Sequence, residues 1–470
     1  MVGIDAIDFH VPSLVMPLSA LAEARNIEYD KLRFGLGLEG MALCDLDEDA
    51  VTLGAEAAWK VIDKNNLRPE DIGRLYLGTE SAVDAAKPTA SYILEILTQR
   101  WRAKYSEATT SHIDVTDITF ACVGGVDALL NCADWVRVKK DRKALVIASD
   151  VAKYELESTG EYTQGAGAVC SLVTHNPRIL VLSEEVGVST QSEADFFKPR
   201  RRFSKADLWR DLMSQDSDSK ESEANFDEVK SRSTHSFWSS KDQVVEQFLE
   251  TPVFDGPYSN DCYQARVREA LSRFIEESGQ HPEEWNGLVF HLPYAFQGRR
   301  MWPDIHFDLM RESKESISEK VGESYLEENR AAFVKAWSKT PEYKAYLKKT
   351  IAPGEVASQK IGNMYTASIF MSLISFLASA EGELSTLGFC AYGSGSKSKV
   401  FSGKLQPNWK ESFSQTTSLE TLIERREVSF ESYENLHAGR LNQPLFPEKS
   451  IKLESIDQGV NREGYRNYNH

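Results

Sequence analysis

The six cysteines, Cys44, Cys122, Cys132, Cys170, Cys262 and Cys390, never fall in a CxxC pair. Their spacing suggests neither a zinc site nor a redox motif, no metal is expected, and a reduced, cytoplasmic protein is the default. Positive charge is the scarcer sign: 54 Lys and Arg stand against 71 Asp and Glu, a net charge of -17. That balance speaks against general nucleic-acid binding and against an anionic membrane surface, so an anionic ligand must be met by a local basic cluster. No apolar run reaches the ~20 residues that span a bilayer. The most apolar stretch, 369–380, is broken by Ser372, Ser375 and Ser379 and reads as a buried helix. No basic flank and apolar run follow Met1, so no signal peptide is expected. No GxGxxG opens a helix after a strand, which removes the dinucleotide fingerprint, and no short-period repeat is visible.

What is present is enough for a large core. The 470 residues are 41% hydrophobic and suit two to four domain-sized units. The organising stretch is Thr119-Phe120-Ala121-Cys122-Val123-Gly124-Gly125-Val126. A β-prone run (113–120) feeds Cys122, two glycines and apolar residues at helical spacing, Val126, Leu129, Leu130, Ala133 and Val136. That predicts strand, tight turn, helix. A cysteine there meets the backbone N–H groups and dipole of a helix N-terminus, which favour the thiolate a covalent nucleophile needs. A buried structural thiol is the alternative.

Other candidates stand at strand ends, where α/β folds gather ligands. Arg74-Leu75-Tyr76-Leu77-Gly78-Thr79-Glu80 places a carboxylate there, a general base or an ordinary exposed acid. Gly287-Leu288-Val289-Phe290-His291 ends in a histidine, either functional or structural. Asn363 opens the apolar helix, and Ser394 lies in a small-residue loop, 393–396, whose N–H groups could bind an oxyanion or line a narrow tunnel. Strands alternate with helices in both halves, which predicts two stacked α/β halves sharing one site. Acids at 45–49 suit a solvated helix start, with a metal site as the weaker reading. Residues 204–241 are rich in Ser, Asp, Glu and Lys and read as an insertion, partly helical and partly flexible. Arg200, Arg201 and Arg202 could meet a phosphate or form a solvated basic patch. The tail, 430–470, reads as polar and irregular, with Tyr433, Leu436, Leu445 and Phe446 docking it.

Seven segments occur in an order that resembles the hydroxymethylglutaryl-CoA synthase family of the thiolase superfamily. They are Gly78-Thr79-Glu80-Ser81-Ala82-Val83-Asp84, Ala121-Cys122-Val123-Gly124-Gly125, Thr163-Gln164-Gly165-Ala166-Gly167-Ala168-Val169, Asp195-Phe196-Phe197-Lys198-Pro199, His291-Leu292-Pro293-Tyr294, Gly362-Asn363-Met364-Tyr365-Thr366-Ala367-Ser368 and Tyr392-Gly393-Ser394-Gly395-Ser396. Each is weak alone; seven in register are specific, and the likeness runs from about residue 2 to 465.

The resemblance implies a thiolase-like, layered αβαβα fold with two topologically similar halves. These are residues 1–190, carrying Glu80 and Cys122, and 251–470, carrying His291, Asn363 and Ser394, joined by a linker, 191–250, that holds the insertion. It implies a homodimer acting on acetyl-CoA and acetoacetyl-CoA, with CoA thioesters as substrates and no cofactor. Cys122 would carry the acetyl group, Glu80 take a methyl proton, and His291 hold the ketone of acetoacetyl-CoA. Tyr154, Thr163, Asn363, Ser394, Arg299 and Arg300 would bind substrate; Asp150, Asp195 and Phe196 would support the site.

Phe296 stands where the family often has a CoA-phosphate lysine, the 204–241 segment exceeds the usual link, and Gly160-Glu161-Tyr162-Thr163 lacks a proline common before the threonine. The leading expectation is a mevalonate-pathway synthase. The alternatives are a polyketide β-branching synthase using carrier-protein-bound acyl groups, and a non-catalytic scaffold.

Overall fold

Side-chain alternation along ten strands determines how the chain layers. In a computed structural model these strands are β1 (Val2–His10), β2 (Arg74–Gly78), β3 (Asp114–Ile118), β4 (Ala144–Ala152), β5 (Gly165–His175), β6 (Leu180–Leu182), β7 (Gly187–Thr190), β8 (Gly287–Phe290), β9 (Thr386–Gly393) and β10 (Lys397–Leu405). The structure describes residues 1–214, 226, 231–233, 236–459 and 461–469. The strand order is β8-β9-β10-β6-β1-β5-β4-β2-β3, with β7 paired to β10 off this path. From β1 through β5 and β4 to β2, the pairings run antiparallel, antiparallel, parallel. From β7 through β10 and β9 to β8, the same series recurs. The two halves are topologically similar, and β6 joins them by pairing with both β1 and β10.

Six helices complete the layers: α1 (Ala50–Lys64), α2 (Thr89–Lys104), α3 (Gly124–Val138), α4 (Gly256–Ser278), α5 (Gln297–Leu309) and α6 (Ser368–Ser379). Leu75, Leu77, Leu145 and Ile147 leave their strands on one side and pack with Val51, Ala58, Ile93 and Leu97 of α1 and α2. Val146 and Ala148 leave on the other, into a core with α3 and α6 that also receives Leu387, Phe389 and Ala391 of β9. Cys390 and Tyr392 point away from it, toward Leu271 of α4 and Trp302 of α5. Helices, strands, central helices, strands, helices: this is the αβαβα layering that the resemblance implied. The stretch read as a buried apolar helix is α6, fully enclosed along most of its length. Among the described residues no helix is long and apolar enough to cross a membrane.

Two expectations need correction. The acids at 45–49 are not simply a solvated helix start. Asp49 caps α1, accepting from Val51 and Thr52 N–H while the Thr52 hydroxyl accepts from Asp49 N–H. Asp45 and Asp47 are buried, and both hold Lys449 of the tail; Asp45 also accepts Leu445 and Phe446 N–H. The tail is not irregular either. It forms a helix, Phe430–His437, capped by Ser429 and buried at Tyr433, and a strand pair, Lys452–Ile456 with Arg466–Asn469. Burial of one helix face offset a polar composition.

The described chain divides into two compact units, Met1–Asp195 with Asp255–His470, and Phe196–Phe254. In the second, Phe196 and Phe197 pair with Phe254 and Val253, and Arg200–Ser204 pairs with Val244–Phe248 as a ribbon leading to a helix, Lys205–Ser214. Arg200 and Arg202 are exposed, with Arg200 stacked 5.1 Å over Phe248. Of the segment read as an insertion, residues 215–225, 227–230 and 234–235 lie outside the described residues.

Candidate active site

The turn at Cys122 is built by two close approaches. β3 stops at Ile118 and α3 starts at Gly124. Ala121 between them adopts φ +38°, a left-handed conformation uncommon for a residue with a side chain. A Cβ at Gly78, the last residue of β2, would run into the Gly125 backbone, so β2 and α3 touch main chain to main chain. A Cβ at Gly393 would stand 2.6 Å from Phe120 O and 2.7 Å from Val123 N, so the 393–396 loop of the second half backs the same turn. Glu80 lies two residues beyond Gly78, and this packing brings it to the cysteine. The Cys122 thiol donates to Glu80 Oε1 at 2.9 Å, and the cysteine is only 7% exposed.

Asp150, wholly buried at the end of β4, ties both halves to this pair. One carboxylate oxygen accepts Glu80 N–H at 2.6 Å and the Thr79 hydroxyl at 3.0 Å. The other accepts Thr366 N–H at 3.0 Å and the Thr366 hydroxyl. Tyr154 is buried. Burial, and then the charges of Cys122 and Glu80, raise its pKa, so it stays protonated. Asn363 Oδ1 accepts Tyr365 N–H at 2.8 Å and the Ser368 hydroxyl at 3.2 Å, and its own N–H donates to Thr163 O at 3.0 Å.

His291 follows β8 directly. Its N–H donates to Cys390 O at 3.2 Å, and its carbonyl accepts the Tyr263 hydroxyl at 2.7 Å. The imidazole is buried, 6.1 Å from the Tyr263 ring, and its Nδ1 has no partner among the described residues. Burial alone pushes its pKa down to about 3, so the ring is neutral. Burial raises the Tyr263 pKa most, followed by the neighbouring Cys390 and Cys122. Asp195 Oδ1 accepts Gly395 N–H at 2.7 Å, and Oδ2 accepts the Tyr392 hydroxyl at 2.7 Å and the Ser259 hydroxyl at 3.1 Å. The Gly395 amide expected to meet an oxyanion is therefore already committed. Ser394 beside it is half-buried. Phe196 belongs to the second unit, where it is buried against its pairing with Phe254.

Family models for hydroxymethylglutaryl-coenzyme A synthase match the chain, the N-terminal one over residues 1–177 and the C-terminal one over 241–458. A hydroxymethylglutaryl-CoA synthase of Haloferax volcanii is 30% identical over an alignment covering 97% of this chain and 94% of that protein. The chain belongs to the hydroxymethylglutaryl-CoA synthase family.

It is accordingly an enzyme, an acyltransferase, with the thiolase-like fold. The Enterococcus faecalis member is 28% identical, covering 99% of this chain and 100% of that one. Among solved structures, MvaS in complex with 3-hydroxy-3-methylglutaryl coenzyme A superposes with a TM-score of 0.75 at 26% identity, covering 100% and 98% of the two chains. The HMG synthase of the curacin biosynthetic pathway reaches 0.74 at 20% identity, covering 100% and 99%, a likeness of fold.

Within this synthase-family chain, the two arginines differ. Arg299 grips the buried carboxylate of Glu355 with two nitrogens and lies 3.7 Å over the Phe296 ring. Arg300 is exposed, 5.8 Å from the Tyr294 ring centroid. Sequence reasoning passed over Tyr263 and the side-chain roles of Tyr365 and Thr366. The last two stand inside a quoted motif, where the positive φ of Tyr365, +40°, could not be read. Tyr263 carries no local signal.

Proposed function

We propose that the chain condenses acetyl-CoA with acetoacetyl-CoA and water, giving hydroxymethylglutaryl-CoA and free CoA, in the mevalonate pathway. The Cys122 thiolate attacks the acetyl carbonyl, and CoA leaves as its thiol with the proton taken from Cys122. Glu80 removes a proton from the methyl group of the acetyl-cysteine, which the thioester has made more acidic. The resulting carbanion attacks the ketone of acetoacetyl-CoA, whose oxygen takes up a proton and becomes the tertiary hydroxyl. Water then cleaves the thioester to Cys122 and frees the new carboxylate. His291, being neutral, would polarise the ketone by N–H donation rather than by positive charge. Tyr154, Thr163, Asn363 and Ser394 would line the acyl site, Asp150 and Asp195 would hold its walls, and Arg300 would meet the CoA phosphates. No cofactor enters, because the thioester itself activates the methyl group. A cytoplasmic homodimer completes the reading.

The observation that carries this is the 2.9 Å approach of Cys122 Sγ to Glu80 Oε1. It supports Glu80 as the base for a methyl group carried on the sulfur. Mass spectrometry after brief exposure to acetyl-CoA should find one acetyl group on Cys122, absent in Cys122→Ala. Glu80→Ala should be acetylated yet release no product; normal turnover would remove Glu80 from the scheme.

The engagement of Arg299 by Glu355, with Phe296 beneath it, leaves one fewer cation for a CoA phosphate and favours a second reading, a carrier-protein-bound acyl substrate. Comparing kcat/KM for acetoacetyl-CoA and for the acetoacetyl carrier protein separates the two. A strong preference for the carrier would replace the first reading by the second.

A further inference from the structure

The tail helix Phe430–His437 takes no part in the chemistry above, yet it grips both polar groups of the Tyr154 backbone. His437 Nε2 is 2.7 Å from Tyr154 O. A carbonyl only accepts, so Nε2 carries the hydrogen. On the other side, Tyr154 N–H donates to Gln164 Oε1 at 2.9 Å, and Gln164 Nε2 donates to the Tyr433 hydroxyl at 2.7 Å. Tyr433 donates to Glu161 Oε1 at 3.0 Å, and Arg25 holds the Glu161 carboxylate through two bonds of 2.9 and 3.0 Å. Gln164, Tyr433 and Glu161 are all buried. Every acceptor in this chain is filled, which favours a rigid buried network.

The Tyr154 side chain is buried within electrostatic reach of Cys122 and Glu80. Burial, and then the neighbouring Cys122 and Glu80, raise its pKa, and Gln164, which holds its N–H, adjoins Thr163, whose carbonyl accepts Asn363 N–H at 3.0 Å. A Cβ at Gly160 would run into the Tyr154 ring, so the ring rests on that backbone with little freedom to tilt. A shift of the Tyr154 main chain therefore moves its ring.

We propose that His437 and Tyr433 are positioning residues for acylation, acting through Tyr154. The tail helix closes the acyl site from a distance of almost 300 residues in sequence. This rests on the reading of Cys122 as the acetylated residue.

The test is the rate of acetyl-Cys122 formation in the full chain at saturating acetyl-CoA, followed by quenched mass spectrometry beside a thermal melt. His437→Ala should keep the wild-type melting midpoint and acetylate about tenfold more slowly, the scale of loss expected when a reacting group is misplaced by a fraction of an ångström. His437→Gln, which can still present an N–H, should recover most of the rate, and Tyr433→Phe should slow it as His437→Ala does. Because His437 acts through Tyr154, the loss from His437→Ala should shrink in a Tyr154→Phe background. A wild-type rate in His437→Ala, no recovery in His437→Gln, or losses that multiply without coupling would overturn the proposal. If His437→Ala does not fold, His437→Gln and Tyr433→Phe carry the test. An unacetylated wild-type chain removes the underlying reading and this proposal together; an acetylated wild type with indifferent variants removes this proposal alone.

Discussion

Cys122 and Glu80 meet side chain to side chain, but His291 shows how one residue's surroundings set its chemistry. A histidine with an ordinary pKa near 6.5 would be partly charged at neutral pH. Burial lowers that of His291 to about 3, so the folded protein keeps it neutral through the whole acidic range above that value. The unfolded chain takes up a proton below about 6.5 and the folded chain does not. Stability therefore falls as pH drops from about 6.5 toward 3. For this residue the loss between neutral pH and pH 5 is about 2 kcal/mol. Unfolding of wild type and His291→Asn at pH 7.5 and 5 should show the variant losing that much less on acidification. Equal losses would mean that His291 titrates normally in the folded state.

At the scale of elements, the site depends on where strands stop rather than on what they contain. β2 ends in Gly78 because α3 begins against it, and the absence of a side chain lets the two backbones touch. Glu80 reaches Cys122 only while that contact holds. Gly78→Ala forces a methyl group into the Gly125 backbone, an overpacking that costs about 1–3 kcal/mol. It should lower the melting midpoint and slow acetyl-Cys122 formation at least tenfold, read by thermal melt and mass spectrometry. A variant with wild-type values in both would show that the turn is not built on this contact.

Across the whole molecule, the two halves are held in register at the site by Asp150. Its carboxylate receives four donors, two from the end of the first-half strand β2 and two from Thr366, just before α6. Asp150→Ala leaves these buried donors without their acceptor, at about 1–3 kcal/mol for each that finds no substitute. The expected net loss is at least ~3 kcal/mol, measured by denaturant unfolding. Asp150→Asn, which keeps one oxygen acceptor, should lose less. A loss below 1 kcal/mol in Asp150→Ala would mean that the halves are registered by apolar packing alone.

Periodicity carried much of the architecture. The alternation in β4 and β9, the helical spacing after Cys122 and the buried run of α6 each follow from local residue order, because a side chain's face is set by its position along a strand or helix. The turn around Cys122 was also visible, since two glycines after a cysteine at a strand end permit little else. What periodicity does not encode is which distant groups become partners. Asp150 with Thr366, Arg299 with Glu355, Lys449 with Asp45, and His437 with Tyr154 are paired only once the layers have closed. Their hydrogen bonds form because burial leaves each polar group no water to turn to, so the packing selects the partner. The residues alone determined which faces are buried and where a nucleophile could stand; the tertiary structure decided which charges are spent on one another and which remain to meet a substrate.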